Sequence, residues 1–343
     1  MKFPHSALPA LALLAVFAVP AVADWAALSP EASCRDALMD TGAGGIVAAV
    51  QDAAALWLLD PQSGDRVREV PVGGAPVSLA LNAGRDTVAC VNNLDATLTL
   101  LSYPALAVRA TLAVSGGPVA VCATADNRFI VADPHDNRLL LLDPAGAGSA
   151  ATLAGDAGVP AAVASAGEWA GWIGRAETAL MLLNFNDPKA AVRRVSLPAP
   201  PVAVCALSNG RFVVASSAAL YVVSPENGRI LSTVAMPVED LSAGDGVLAV
   251  LGGGEVRLLD ETLSETGRMA VEIPAKRVRC GNGMVAVLAP QARSGAFWVR
   301  GAVSTPQSSV VPVVEAAPVT AEAVATEVAA AEVAAAEVAA AEV

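Results

Sequence analysis

The feature that most constrains this chain is a unit of about forty residues that recurs along it, a spacing typical of propeller blades. Its clearest copy runs from Val70 to Ser102, VPVGGAPVSLALNAGRDTVACVNNLDATLTLLS. An apolar run meets Gly-Gly-x-Pro. Two strand-like runs follow, separated by a polar turn, and a third follows another turn. Counted from the proline after each glycine-rich crossover, units begin at Pro30, Pro76, Pro118, Pro160, Pro201 and Pro237, and a seventh begins at Lys276.

Within each unit the same strands return in the same order. Strand B reads GIVAAV, DTVACV, RFIVAD, WAGWIG, RFVVAS, VLAVLG and MVAVLA; strand C reads ALWLLD, TLTLLS, RLLLLD, ALMLLN, ALYVVS, EVRLLD and AFWVRG. These runs are short and punctuated by Gly, Pro, Asn and Asp, which argues against helices. Their unbroken Leu and Val content fits strands covered on both faces. Strand D is more polar (RVREVPV, VRATLAV, AVRRVSL, ILSTVAM, GRMAVEI), as expected of an outer strand that meets solvent. Pro sets φ in the turns and Gly supplies positive φ. Radial stacking of such sheets leaves only short, protected edges.

The pattern predicts an all-β fold over residues 24–314, a seven-bladed β-propeller of four-stranded antiparallel blades. Six blades is the alternative, because PEASC is separated from its strand B by an insertion. The seventh unit has no evident strand D, so either DWAALS near the N-terminus or SSVVPVV must close the ring.

The copy quoted above resembles the YVTN-type β-propeller repeat, of the quinoprotein amine dehydrogenase-like propeller superfamily. VACVN, Val88–Asn92, stands where that motif's strand would be, without its Tyr or Thr. The resemblance covers most of residues 44–300 and is best in the first three units. It implies a fold found in secreted and surface proteins and in quinoprotein dehydrogenase subunits; a shared fold of this breadth does not specify an activity.

The two ends read differently from the body. MKFPHSALPALALLAVFAVPAVADW carries Lys2, an apolar run over Ala7–Val19, and Ala21-Val22-Ala23 before Asp24, the pattern of a cleaved signal peptide over 1–23. The run is shorter than a membrane span requires and Pro9 and Pro20 interrupt it. A periplasmic or secreted chain with no membrane span after cleavage is expected. Residues 315–343 end in an Ala-Ala-Ala-Glu-Val repeat. Five residues advance a helix by about 140° beyond a full turn, so no apolar stripe forms. A disordered or marginally helical tail is expected there.

Of the five cysteines, Cys34, Cys122, Cys205 and Cys280 each count as the fifth residue of strand A from the unit starts given above, and Cys90 lies in strand B. Small buried thiols are the plain reading. In a seven-bladed ring Cys34 and Cys280 would sit in adjacent blades, where an oxidising compartment would permit a disulfide.

Chemistry is sparse. Net charge is −12, so there is no basic footprint for nucleic acid. After the leader the one histidine is His135, and there is no Cys-x-x-Cys-His, no adjacent Cys-Cys and no Gly-x-Ser-x-Gly. No catalytic residues, metal site or cofactor are expected. The polar B–C turns cluster in units 2 to 4. They supply Asn92, Asn93 and Asp95, then Asp133, His135, Asp136, Asn137 and Arg138, then Arg175 and Glu177. In a propeller these turns share one face around the channel mouth, which makes them the candidate binding patch. The reading is an exported, non-catalytic scaffold for a protein or envelope component. The alternative is a propeller subunit of a periplasmic redox enzyme or a lactonase-like hydrolase.

Overall fold

The computed structural model describes residues 26–27, 32–114, 116–144, 150–175, 177–187 and 189–299. The expected leader (1–23), the SSVVPVV segment and the tail (315–343) lie outside them.

Alternation of short apolar runs with Gly- and Pro-bearing turns produces seven four-stranded antiparallel sheets, the seven blades of a β-propeller. The inner strands, A, are Cys34–Leu38, Pro76–Leu81, Ala120–Ala123, Pro160–Ala166, Pro201–Ala206, Asp240–Gly244 and Arg277–Gly281. Strands B, C and D follow outward in chain order in the first six blades. Strand D of blade 3, Ala150–Gly155, has none of the arginines that mark strand D of blades 1, 2, 4, 5 and 6 and is visible only in the structure.

Middle strands are buried on both faces because each blade stacks on two neighbours. Ile46–Val50, Thr87–Asn92 and Met284–Ala289 are buried at every position. Seven hydrophobic clusters result, one at each junction between consecutive blades. Burying one such Val, Leu or Ile contributes about 1.5–3 kcal/mol. The outer strands are polar and open, as Arg66–Pro71 shows. In blades 1, 2, 3, 5 and 6 the C–D pairing slips within strand C, for example between Leu58 and Leu59. Such bulges increase local twist.

The ring closes through the N-terminal candidate segment. Ala26–Ala27 is the outermost strand of blade 7, pairing Ala26 with Phe297 and Ala27 with Ala296. The last blade is therefore stitched from both parts of the chain, and the count is seven rather than six.

One expectation needs correction. The four inner-strand cysteines do not share a position. Cys122 pairs with Ile130 and Cys205 with Val213, level with Ala80 and Ala164. At that level blade 7 has Arg279, opposite Ala286, and Cys280 is one residue further on. In blade 1, Cys34 opens the strand opposite Val50, where other blades have their proline. Counting from proline fails because Pro30 precedes its strand by four residues and blade 7 begins without one. Cys34 and Cys280 are consequently not joined, and all five cysteines are free thiols. Cys34 packs at the junction of blades 7 and 1, Cys280 at that of blades 6 and 7, so the sheet of blade 7 separates them.

Candidate functional site

The B–C turns and the D–A crossovers share one face, and the ten candidate residues lie on three consecutive blades of it. Most of their polar atoms are engaged within the fold. Asn92 is fully buried; its Nδ2 donates to Thr97 Oγ1 (3.0 Å) and Thr99 Oγ1 (2.8 Å). Asn93 Nδ2 reaches the next crossover, donating to the carbonyls of Gly117 (3.2 Å) and Pro118 (3.0 Å). Asp95 Oδ2 accepts from Gly74 N in the preceding crossover at 2.6 Å. Asn137 ties its turn to Asp156 (2.9 Å) and accepts from Val159 N (2.6 Å). Each bond of this kind is worth about 1 kcal/mol net, and together they fix the turns to the crossovers.

Asp133, His135, Asp136 and Arg138 form one local cluster. Asp133 is fully buried and accepts from Arg138 Nε at 3.2 Å. Arg138 also lies 2.9 Å from Asp136 Oδ2, and His135 Nδ1 is 3.0 Å from Asp136 Oδ1. Glu177 is turned away from this cluster toward Arg194 of its own blade, at 2.6 Å. The groups left facing outward are His135 (74% exposed), Arg175 and, on the blade 2 turn, Leu94 (77% exposed).

A second polar constellation lies at the axis and was missed in the sequence. Arg279 on the inner strand of blade 7 spans two junctions. Its Nε donates to Asp36 of blade 1 and its Nη1 donates to Asp240 of blade 6 at 3.0 Å. Asp36 also accepts from Leu79 N of blade 2 (2.8 Å), and Asp240 from Val278 N of blade 7 (3.0 Å). Ser78 repeats the device, accepting from Val121 N at 3.2 Å. One strand position thus caps an otherwise unpaired N–H of the neighbouring blade. Burial opposes the Arg279 charge, but Asp36 and Asp240 outweigh it and hold the guanidinium above the ordinary arginine range.

The sequence signal was available: SCRDAL, VEDLSAG and KRVRCG carry charges where PVSLAL, PAAVAS and PVAVCA have none. It was obscured because its members are up to 243 residues apart.

The thiols are held neutral. Burial, with the Asp52 charge second, pushes Cys34 up to about 12; burial pushes Cys122 up to about 12. Cys90, Cys205 and Cys280 are also raised, chiefly by burial. Among the described residues no group of three or more His, Cys, Asp or Glu could hold a metal ion, and no helix is long and apolar enough to cross a membrane. On the opposite face, a cavity of about 110 Å³ between blades 5 and 6 is lined by Ser208, Asp245 and Glu261 among others.

Neither a protein-family model nor a curated protein sequence matches the chain. Solved structures do. Virginiamycin B lyase from Staphylococcus aureus is 9% identical with a TM-score of 0.64, over 80% of this chain and 98% of that one. Hydrazine synthase from Kuenenia stuttgartiensis is 11% identical with a TM-score of 0.63, over 81% and 98%. BBS1N, solved in complex with ARL6DN, is 16% identical with a TM-score of 0.61, over 82% and 98%. Identities this low show a shared fold alone.

Proposed function

We propose that this chain is an exported, non-catalytic β-propeller that binds a protein or cell-envelope component on its B–C loop face. The periplasm or the cell exterior is its place of work, following the N-terminal pattern. The observation that carries the reading is how the polar side chains of that face are used. Asn93, Asp95 and Asn137 tie turns to crossovers, and Asp133 is buried against Arg138. Groups engaged in this way build a rigid platform, and preorganised surfaces bind at lower entropic cost. Leu94, His135 and Arg175 stand outward on it as an apolar, a titratable and a cationic contact. The other reading, a propeller subunit of a redox enzyme or a lactonase-like hydrolase, would require a reactive group poised in a cleft. The similar folds include a lyase and a synthase as well as a chain solved with a protein partner, so the fold weighs on neither side.

Crosslinking of the full chain in its own compartment tests this. A Leu94→Asp/Arg175→Glu double variant should lose the captured component, while Glu226→Lys, on a C–D turn of the opposite face, should retain it. Equal capture by both variants would overturn the proposal, as would turnover of a lactone or reduction of an electron acceptor by the purified chain.

A further inference from the structure

The axis of the ring is chemically lopsided. Blades 6, 7 and 1 place Asp240, Arg277, Arg279, Arg35 and Asp36 on their inner strands. Across the axis, blades 4 and 5 present Ala161 and Val202, and Val202 is 45% exposed although it lies on an inner strand.

The charges on the polar side do not balance. Three arginines meet two aspartates, and both aspartates are occupied by Arg279 and by backbone N–H groups. Arg277 is half-buried and has no hydrogen bond or ion pair to a described residue. Burial and the like charge of Arg279 outweigh the attraction of Asp240 and Asp36 and hold its guanidinium below the ordinary arginine range. Arg35 uses only Nε, toward Gln51 Oε1, and its terminal nitrogens have no partner among the described residues. A partly desolvated cation whose nearby carboxylates are already engaged by another guanidinium is unfavourable, and Arg279 is latched in place and cannot move away. In a chain of net charge −12 this is a local surplus of positive charge. Arg35 and Arg277 stand at the start of their strands, on the side where the D–A crossovers arrive, so the site opens on the loop face.

We propose that Arg277 and Arg35 form an anion site at this mouth of the central channel, taking a small carboxylate whose apolar body lies toward Ala161 and Val202. Guanidinium forks match carboxylates in a planar, bidentate manner, and Ala161 and Val202 on the opposite inner strands offer no side-chain donor for a second charge. This site is independent of the protein-binding reading of the loops.

Titration calorimetry on the full chain, with benzoate, phenyl phosphate and benzamide as probes, tests it. Benzoate should bind saturably with a dissociation constant below about 1 mM, and benzamide should not. Arg277→Gln and Arg35→Gln should each weaken benzoate by at least about tenfold, a loss in the range of a charge-assisted pair. Val202→Asp puts a negative charge on the opposite wall at an exposed position and should abolish binding in a folded chain, so the test survives a folding defect in the arginine variants. The site is refuted by no saturable benzoate binding, by equal affinity for benzamide, or by Val202→Asp binding like the parent. Tighter binding of phenyl phosphate would overturn the carboxylate assignment.

Discussion

Replacing Arg279 by Met should destabilise the ring at its closing blade. The seam of blade 7 rests at its outer edge on two residue pairs, Ala26 with Phe297 and Ala27 with Ala296. At its inner edge Arg279, with its side chain 19% exposed, links Asp36 (5%) to Asp240 (13%). Removing one partner from a buried ion pair costs about 3–5 kcal/mol, because the remaining charge is uncompensated. Here the loss is smaller, since Asp36 and Asp240 each keep a backbone donor, Leu79 N and Val278 N. A net loss of about 2–4 kcal/mol follows. For a domain of this size that is a drop in Tm of about 3–8 °C. Thermal melting followed by circular dichroism at neutral pH and physiological salt reads it, because salt screens a buried pair little. The triple variant Arg279→Met/Asp36→Asn/Asp240→Asn should recover more than half of the loss. It removes both carboxylates that Arg279 had paired, while Asn Oδ1 can still accept from the two N–H groups. A single variant that melts within about 1 °C of the parent, or a triple variant less stable than the single one, would refute the latch.

The thiols offer a pH test. With Cys34 and Cys122 raised to about 12 in the fold, the stability tied to their neutral form is complete below the ordinary thiol range near 9 and is lost as pH rises toward 12. Urea melts should therefore weaken between about pH 8 and 10.5, Cys122→Ala should flatten the slope, and iodoacetamide should label the five thiols only after unfolding; labelling of the folded chain at neutral pH would contradict this. Gly171→Ala should also destabilise, by about 1–3 kcal/mol in a urea melt, because a Cβ there would stand 2.6 Å from Cε1 of the fully buried Phe212 ring; an unchanged midpoint would show that the junction of blades 4 and 5 is looser than it looks.

Legibility in the sequence followed the kind of information each part of the fold uses. Strands B and C were readable because double-faced burial writes itself as local Leu and Val runs, and Phe129–Asp133 and Arg138–Leu142 fall where RFIVAD and RLLLLD place them. Strand A was less readable. Proline marks the register where it opens the strand, as Pro76 does; Pro30 precedes its strand by four residues and strand A of blade 7 has no proline, and Cys34 and Cys280 were misaligned for that reason. The loop residues could be read as polar but not interpreted, and Asn92, Asp133 and Arg138 belong to the ends of strands B and C. An Asn in a turn has the same spelling whether it faces a ligand or, like Asn93, two crossover carbonyls. The axial network was invisible as a set, because only ring closure brings Arg279 to Asp36.

Departure from the repeat is therefore the more informative signal about function. A ring of similar blades has no general need for charge at its axis, and blades 2 to 5 manage with Ser78, Ala120, Ala162 and Ala203 at the level of Asp36. The closing blade has a specific need, since it is assembled from two distant segments, and Arg279 with Asp36 and Asp240 meets it. That set comprises one guanidinium, two carboxylates and three backbone donors. Arg277 adds a like charge beside it and contributes no bond to the seam. A partly buried cation that forms no ion pair with the latch's carboxylates, at the open end of the channel and opposite an apolar wall, is best accounted for by an anion that arrives from outside the chain.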